Sequence, residues 1–242
     1  MNGGVVTKFV DYVSQYAPAF AQNIEGVPES EIAEFENISA HKLPEAYREF
    51  LALMGHRDGG LDLGQGSTTG LREVLQYYRD FILTGEEQVP PDTALISVGG
   101  VGAGDLGLSY GAAEEPRVVN VEDGNIKSAY AESFLKLLFR IGFIKYKMAA
   151  FPASAIYTSA RGRSSLSEAS QFAEQSGFAA QWFSDFVAFC GEQEDSALAI
   201  NQFENMGLWL RIAARTPQEV ERIGDAFVRR IGVSFDTWWP RS

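Results

Sequence analysis

Apolar residues recur at helical spacing through much of the first half of the chain. Val6, Phe9, Val10 and Val13 share one side of a predicted helix over residues 5–20, which Pro18 should end or kink. Residues 25–36 then carry five glutamates around Ile32 and Phe35. This predicts a short acidic helix with a narrow apolar stripe, whose charged side is either a solvated face or a docking surface. Tyr47, Phe50, Leu51 and Met54 fall at i, i+3, i+4 and i+7, with Pro44 suited to the first helical position and Gly55 to the stop. Leu71, Val74, Leu75 and Tyr78 repeat the pattern, continued by Phe81 and Ile82 until Gly85. A last helical face, Phe134, Leu135, Leu138 and Ile141, closes this part.

Between those helices the period shortens. Residues 95–98 read as a short buried strand, a glycine-rich turn follows, and residues 106–110 alternate as a second strand. Val118, Val119 and Val121 form another. Asp123-Gly124 before Asn125-Ile126-Lys127 is the strongest hairpin signal, because that dipeptide accepts positive φ in a two-residue turn. Helices followed by antiparallel-looking strands predict an α+β domain over residues 1–150, with helices packed on a mostly antiparallel sheet. Residues 151–242 predict a smaller α/β or α+β domain of unknown role. Its expected elements are a strand at 155–159, helices at 165–176 and 178–190, strands at 197–200 and 208–213, and a final helix. Thr216-Pro217-Gln218-Glu219 and Ser165 with Glu168 supply helix-capping signals. Ala179, Trp182, Phe183, Phe186, Val187 and Cys190 predict a wide apolar helix face, buried against a sheet in preference to another subunit. Trp238 and Trp239 suit either an interface or a pinned chain end.

The order of these signals resembles the SUKH (SMI1/KNR4) superfamily. The resemblance lies in the helix Leu43-Pro44-Glu45-Ala46-Tyr47-Arg48-Glu49-Phe50-Leu51, the glycine pair Gly59-Gly60 and the later Gly104-Asp105. It spans roughly residues 30–144. Asp58 stands where Asn usually precedes the glycine pair, and the resemblance does not extend to the C-terminal part. It implies a sheet with helices packed on it, a fold-determining turn at Gly104-Asp105, and a non-enzymatic role. Many SUKH proteins are immunity proteins of bacterial polymorphic toxin systems, which bind and neutralise a cognate toxin, often a nuclease or deaminase.

Composition fits a folded protein with a sizeable core: 242 residues, 45% hydrophobic and 21% charged. No basic, apolar leader opens the sequence and no apolar run approaches the ~18 residues of a membrane span, so a cytoplasmic location is expected. The lone Cys190 rules out an internal disulfide framework. Net charge is −12 and uneven: residues 1–150 hold 12 Lys and Arg against 21 Asp and Glu, a net of −9. That balance disfavours nucleic acid and suits a basic protein partner, although acidic surfaces also serve solubility.

Chemistry fails on inventory. Residues 102–107 spell G-x-G-x-x-G, but a dinucleotide site needs a helix after the turn, and Leu106-Gly107-Leu108-Ser109-Tyr110 alternates like a strand. His41 and His56 lack metal-ligand spacing, and there is no P-loop or nucleophile elbow. Asp58 and Asp62 straddle the glycine pair, far short of the oxygen count a calcium ion needs. No catalytic, cofactor-binding or metal residue is therefore assigned. The expectation is a protein-binding module whose partner-binding residues are Asp58, Asp62, Glu86, Glu87 and Asp105. An enzyme with a site between the two parts, or a scaffold subunit joined through the C-terminal aromatics, are the competing readings.

Overall fold

A computed structural model of the protein describes residues 4–63, 66–99, 104–111, 115–202 and 207–239. The chain divides into two compact units, Met1–Ile141 and Gly142–Ser242.

The first unit is α+β. Helix α1 (Val5–Ser14) buries Val6, Phe9 and Val13 and stops before Pro18. After a two-residue strand β1 (Ile24–Glu25), the acidic run becomes α2 (Glu29–Ser39). Helix α3 (Glu45–Met54) buries Tyr47, Phe50, Leu51 and Met54, the four positions of its apolar stripe. Pro44 is its N-cap, one position earlier than expected, and Gly55 its C-cap. Strand β2 (Arg57–Asp58) pairs with β1. Helix α4 (Leu71–Tyr77) buries Leu71, Val74 and Leu75, then widens into a π-helical turn, Tyr78–Ile82. That widening overturns the expected continuation of the buried face, because Phe81 is 37% exposed.

Strands β3 (Thr93–Leu95), β4 (Asp105–Ser109), β5 (Arg117–Glu122) and β6 (Asn125–Ala131) form one antiparallel meander in the order β3-β4-β5-β6. The hairpin between β5 and β6 turns on Asp123 and Gly124, with φ of 50° and 67°. Those two positive angles are what a primed two-residue turn requires. Helix α5 (Phe134–Gly142) sets Phe134 edge-on to Tyr47 at 4.7 Å and to Phe50 at 5.1 Å. Its buried apolar side chains are Phe134, Leu137 and Leu138, while Leu135 and Ile141 are half-buried, so the inward face is rotated from the one expected.

Long-range ion pairs bind the acidic helix to its neighbours. Arg48 of α3 reaches both Glu29 and Glu36, the latter at 2.7 Å. Arg72 of α4 meets Glu31 at 3.0 Å, Arg79 meets Glu34, and Arg57 meets Glu25 at 3.0 Å. Glu36 is buried; it also accepts from Lys42 Nζ at 2.8 Å and from the Leu43 amide at 3.0 Å. Burial opposes its charge, but the hydrogen bonds from Lys42, Leu43 and Arg48 outweigh that penalty and hold its pKa at about 2.

The second unit takes the α+β form of the two expected. Strands β7 (Ala153–Thr158), β8 (Ala179–Ala180), β9 (Ala188–Gln193), β10 (Ser196–Gln202), β11 (Leu208–Ala214) and β12 (Ser234–Trp238) form a wholly antiparallel sheet ordered β12-β7-β11-β10-β9-β8. Helices α6 (Leu166–Gln175) and α7 (Pro217–Ile231) carry Leu166, Ala169, Val220, Ile223 and Phe227 into one core with Leu198, Ile200, Leu210 and Ile212. Both capping signals operate: Ser165 and Glu168 form a reciprocal capping box, and Thr216 Oγ1 accepts from the Glu219 amide at 3.2 Å. Gly224 of α7 passes so close to β7 that a Cβ there would stand 2.0 Å from the Tyr157 hydroxyl oxygen.

The helix expected at residues 178–190 is not formed; the segment is β8, a turn and the start of β9. Asp185 Oδ1 accepts from the amides of Val187 and Ala188 at 2.8 and 2.9 Å, and the Cys190 amide donates to Ser184 Oγ at 3.0 Å. Such side-chain bonds offer the backbone an alternative to a helix. The apolar face accordingly splits: Phe183, Val187 and Cys190 are buried, whereas Trp182 and Phe186 are more than half exposed. Cys190 lies on a strand, not on a helix.

Arg211 of β11 is buried and has no ion-pair partner among the described residues. Its Nε donates to Ser154 Oγ at 3.0 Å, its Nη1 to the Ile144 carbonyl at 2.9 Å, and the Trp239 ring centroid lies 4.6 Å from its Cζ. Burial pushes its pKa down to about 10. Trp239 thus pins the chain end over a buried guanidinium.

Candidate functional site

The five acidic residues singled out from the sequence fall into two groups. Asp58 and Asp62 shape their own loop. Asp58 Oδ1 accepts from the amides of Gly60 and Leu61 at 2.8 and 3.2 Å, and its Oδ2 from Thr69 Oγ1 at 3.3 Å. Asp62, at a φ of 59°, accepts from the Gly66 amide at 2.8 Å. Gly59, at a φ of 71°, is fixed by packing as well, since a Cβ would lie 2.4 Å from the Phe20 ring. These aspartates satisfy backbone donors in the way short acidic side chains do in turns.

Glu87 and Asp105 are brought to the same tyrosine, Tyr77, and Glu86 precedes Glu87 in the turn after α4. The π-helical turn presents the Phe81 carbonyl to both the Glu86 and Glu87 amides, at 3.0 Å each. Glu87 then accepts a hydrogen bond from the Tyr77 hydroxyl. Burial first, then the bond to Glu87 and the charges of Asp105 and Glu87, push the Tyr77 pKa up. Asp105 opens β4 and sits in register with Val121 of β5, which in turn faces Ile126 of β6. Gly104, at a φ of 71°, admits this approach: a Cβ would stand 2.8 Å from the Val121 carbonyl oxygen. The tip of the hairpin closes the group, because a Cβ on Gly124 would stand 3.1 Å from the Gln88 carbonyl oxygen.

The surface so assembled mixes charge with apolar area. Phe81, its ring 5.1 Å from that of Tyr77, is exposed, as are Leu83 at 65% and, in β6, Ile126 at 44%. Glu86, Glu87 and Asp123 make no ion pair with any described residue. Exposed apolar side chains bordered by polar ones are the usual make-up of a protein interface. Tyr77, Phe81, Leu83, Asp123 and Ile126 were not among the residues expected from sequence. Ile126 was legible in retrospect from its place two residues after the Asp-Gly turn; Phe81 was not, because the helical period concealed the π-turn.

Gly104 leads into a strand, so no helix N-terminus faces a phosphate there, as a dinucleotide site would need. Gly102 and the rest of the expected glycine corner, residues 100–103, lie outside the described residues, as do Gly64 and Gln65 of the polar loop. On either side of that corner β3 and β4 pair antiparallel, Thr93 with Ser109 and Leu95 with Gly107. Among the described residues no three His, Cys, Asp or Glu side chains gather to hold a metal ion, and no helix is long and apolar enough to cross a membrane.

Residues 26–140 match the model of the SMI1 / KNR4 family (SUKH-1). Over that span the chain is an SMI1/KNR4 domain. No curated protein and no solved structure matches the chain. The SMI1/KNR4 match ends inside α5, so it covers all four strands of the meander and every residue of the acidic surface. Helices α2, α3 and α4 lie wholly within it, and α1 wholly outside.

Proposed function

We propose that the SMI1/KNR4 domain is a non-enzymatic protein-binding module, and that the chain is a bacterial immunity protein that docks on and neutralises a cognate basic toxin, a nuclease or deaminase, in the cytoplasm. Many proteins of this family have that role. The observation that carries the reading is the meeting of Glu87 and Asp105 at Tyr77, whose ring neighbours the exposed Phe81, with Glu86 next to Glu87 in the chain and Leu83 and Ile126 exposed as well. The apolar side chains would supply buried area, and the carboxylates would steer a basic partner into register. Asp58 and Asp62 would extend the acidic rim.

The toxin to test is the one encoded beside this chain's reading frame. Its association rate with the full chain should fall at least tenfold between about 0.05 and 0.5 M salt, as electrostatic steering requires. Reversing Glu86 and Glu87 together to lysine should slow association by about tenfold at low salt and have little effect at high salt. A rate indifferent to both salt and charge reversal would remove this surface from the binding reaction.

A further inference from the structure

The second unit contains a cleft of about 450 Å³ between α6, the end of α7 and the segment after β7. One wall is a single stripe of α6: Glu168, Gln171, Phe172 and Gln175 follow one another at i, i+3, i+4 and i+7. Phe172 turns toward the core, edge-on to Phe227 at 4.9 Å, which leaves two carboxamides and a carboxylate as the polar ends on that wall. Arg163, just before α6, and Arg230, at the end of α7, also line it. Arg163 Nε lies 3.0 Å from where a Cβ of Gly232 would stand, so its guanidinium leans over the residue that ends α7, two positions past Arg230.

Neither arginine makes an ion pair with a described residue, although other arginines of this unit do. Arg222 is held by Glu219 at 2.6 Å and Arg215 by Asp195 at 2.6 Å. Glu168 is the one acid on the cleft wall, and it pairs with neither arginine: its Oε2 accepts from the Ser165 amide and hydroxyl at 3.0 and 2.9 Å. Those bonds hold its pKa below the usual carboxylate range and keep it an acceptor. Two guanidinium forks without counter-ions lining one concave site match the tetrahedral oxygens of a phosphate. The carboxamides and carboxylate of α6 match hydroxyl groups. The volume lies within the range of small-molecule sites.

We infer that this cleft binds a small hydroxylated organic phosphate, its phosphate between Arg163 and Arg230 and its hydroxyls against Gln171, Gln175 and Glu168. The site belongs to the second unit alone and stands whether or not the first unit docks a toxin. Isothermal titration of the full chain with glucose 6-phosphate, inorganic phosphate and glucose tests it. The sugar phosphate should bind at least about tenfold more tightly than either fragment. Arg163→Gln and Arg230→Gln should each weaken it by about tenfold, while Gln175→Leu should weaken the sugar phosphate and leave inorganic phosphate unchanged. Both arginines are exposed, so unchanged circular dichroism is expected of the variants. No saturable binding below about 10 mM, equal affinity for inorganic phosphate and the sugar phosphate, or arginine variants that bind as the parent does would each overturn the assignment.

Discussion

Replacing Glu36 by Gln isolates the strongest ionic arrangement in the first unit. The side chain is 6% exposed and joins three donors, Lys42 Nζ, the Leu43 amide and Arg48 Nη1, that no isosteric neutral group can serve alike. A carboxyl moved from 4.5 to about 2 corresponds to about 3 kcal/mol at 1.36 kcal/mol per pKa unit. Lys42 is 89% exposed and Arg48 32% exposed, so water screens part of that interaction, and about 2 kcal/mol is the expected loss at neutral pH. The sign follows from linkage. The folded pKa is depressed, so the stabilisation is present above 4.5 and disappears as pH falls through the window from 4.5 to about 2.

Urea unfolding followed by far-ultraviolet circular dichroism at a series of pH values therefore gives two curves that converge in acid. The parent should exceed Glu36→Gln by about 2 kcal/mol at pH 7 and by nothing measurable near pH 2. Hydrogen exchange adds a local reading. The Leu43 amide, which donates to Glu36 at 3.0 Å, should lose protection in the variant at pH 7. Parallel curves, with the same gap in acid as at neutrality, would refute the claim that charge on Glu36 is what stabilises this corner.

The second unit offers two tests of opposite kind. Gly224→Ala would stabilise an exposed helix by roughly 1 kcal/mol, but here the new Cβ would meet the Tyr157 hydroxyl, so denaturant melts should show a loss of about 1–3 kcal/mol. Arg211→Met removes a buried charge that no carboxylate neutralises, keeps the stem under Trp239, and should leave stability within about 1 kcal/mol of the parent or raise it. A loss above about 3 kcal/mol would mean that the bonds to Ser154 and Ile144 outweigh the desolvation of the guanidinium.

Elements written in a few adjacent residues were legible from sequence. The stripe of α3, the Asp123-Gly124 turn and the capping motifs of the second unit are local signals, and they have their expected geometry except at Glu219, whose carboxylate takes Arg222 and does not complete a box with Thr216. Elements decided by distant residues were not. Residues 178–190 carry a helical period, yet Ser184 and Asp185 close a turn and β10 captures Cys190 as a strand residue. Strand β12 went unseen because it is one exposed strand paired on one side only, with little apolar alternation to mark it. The acidic residues show the same division. Composition put Glu86, Glu87 and Asp105 on an acidic half, but only the π-turn and the register of β4 with β5 bring Asp105 and Glu87 to the same tyrosine.

The excess negative charge of the first unit is accordingly not one property. The densest run, in α2 and just before it, is matched residue by residue: Glu25 by Arg57, Glu29 and Glu36 by Arg48, Glu31 by Arg72 and Glu34 by Arg79. A partner seeking that face would have to displace arginines already supplied by the chain. Glu86, Glu87 and Asp123 have no such arginine, and the exposed Leu83 and Ile126 lie close to them in the chain. Although the first region holds more carboxylates, its arginines neutralise them, so the field that a basic partner would feel at long range comes from the second. Charge reversal confined to α2 should therefore disturb stability more than association, and reversal at residues 86 and 87 the converse.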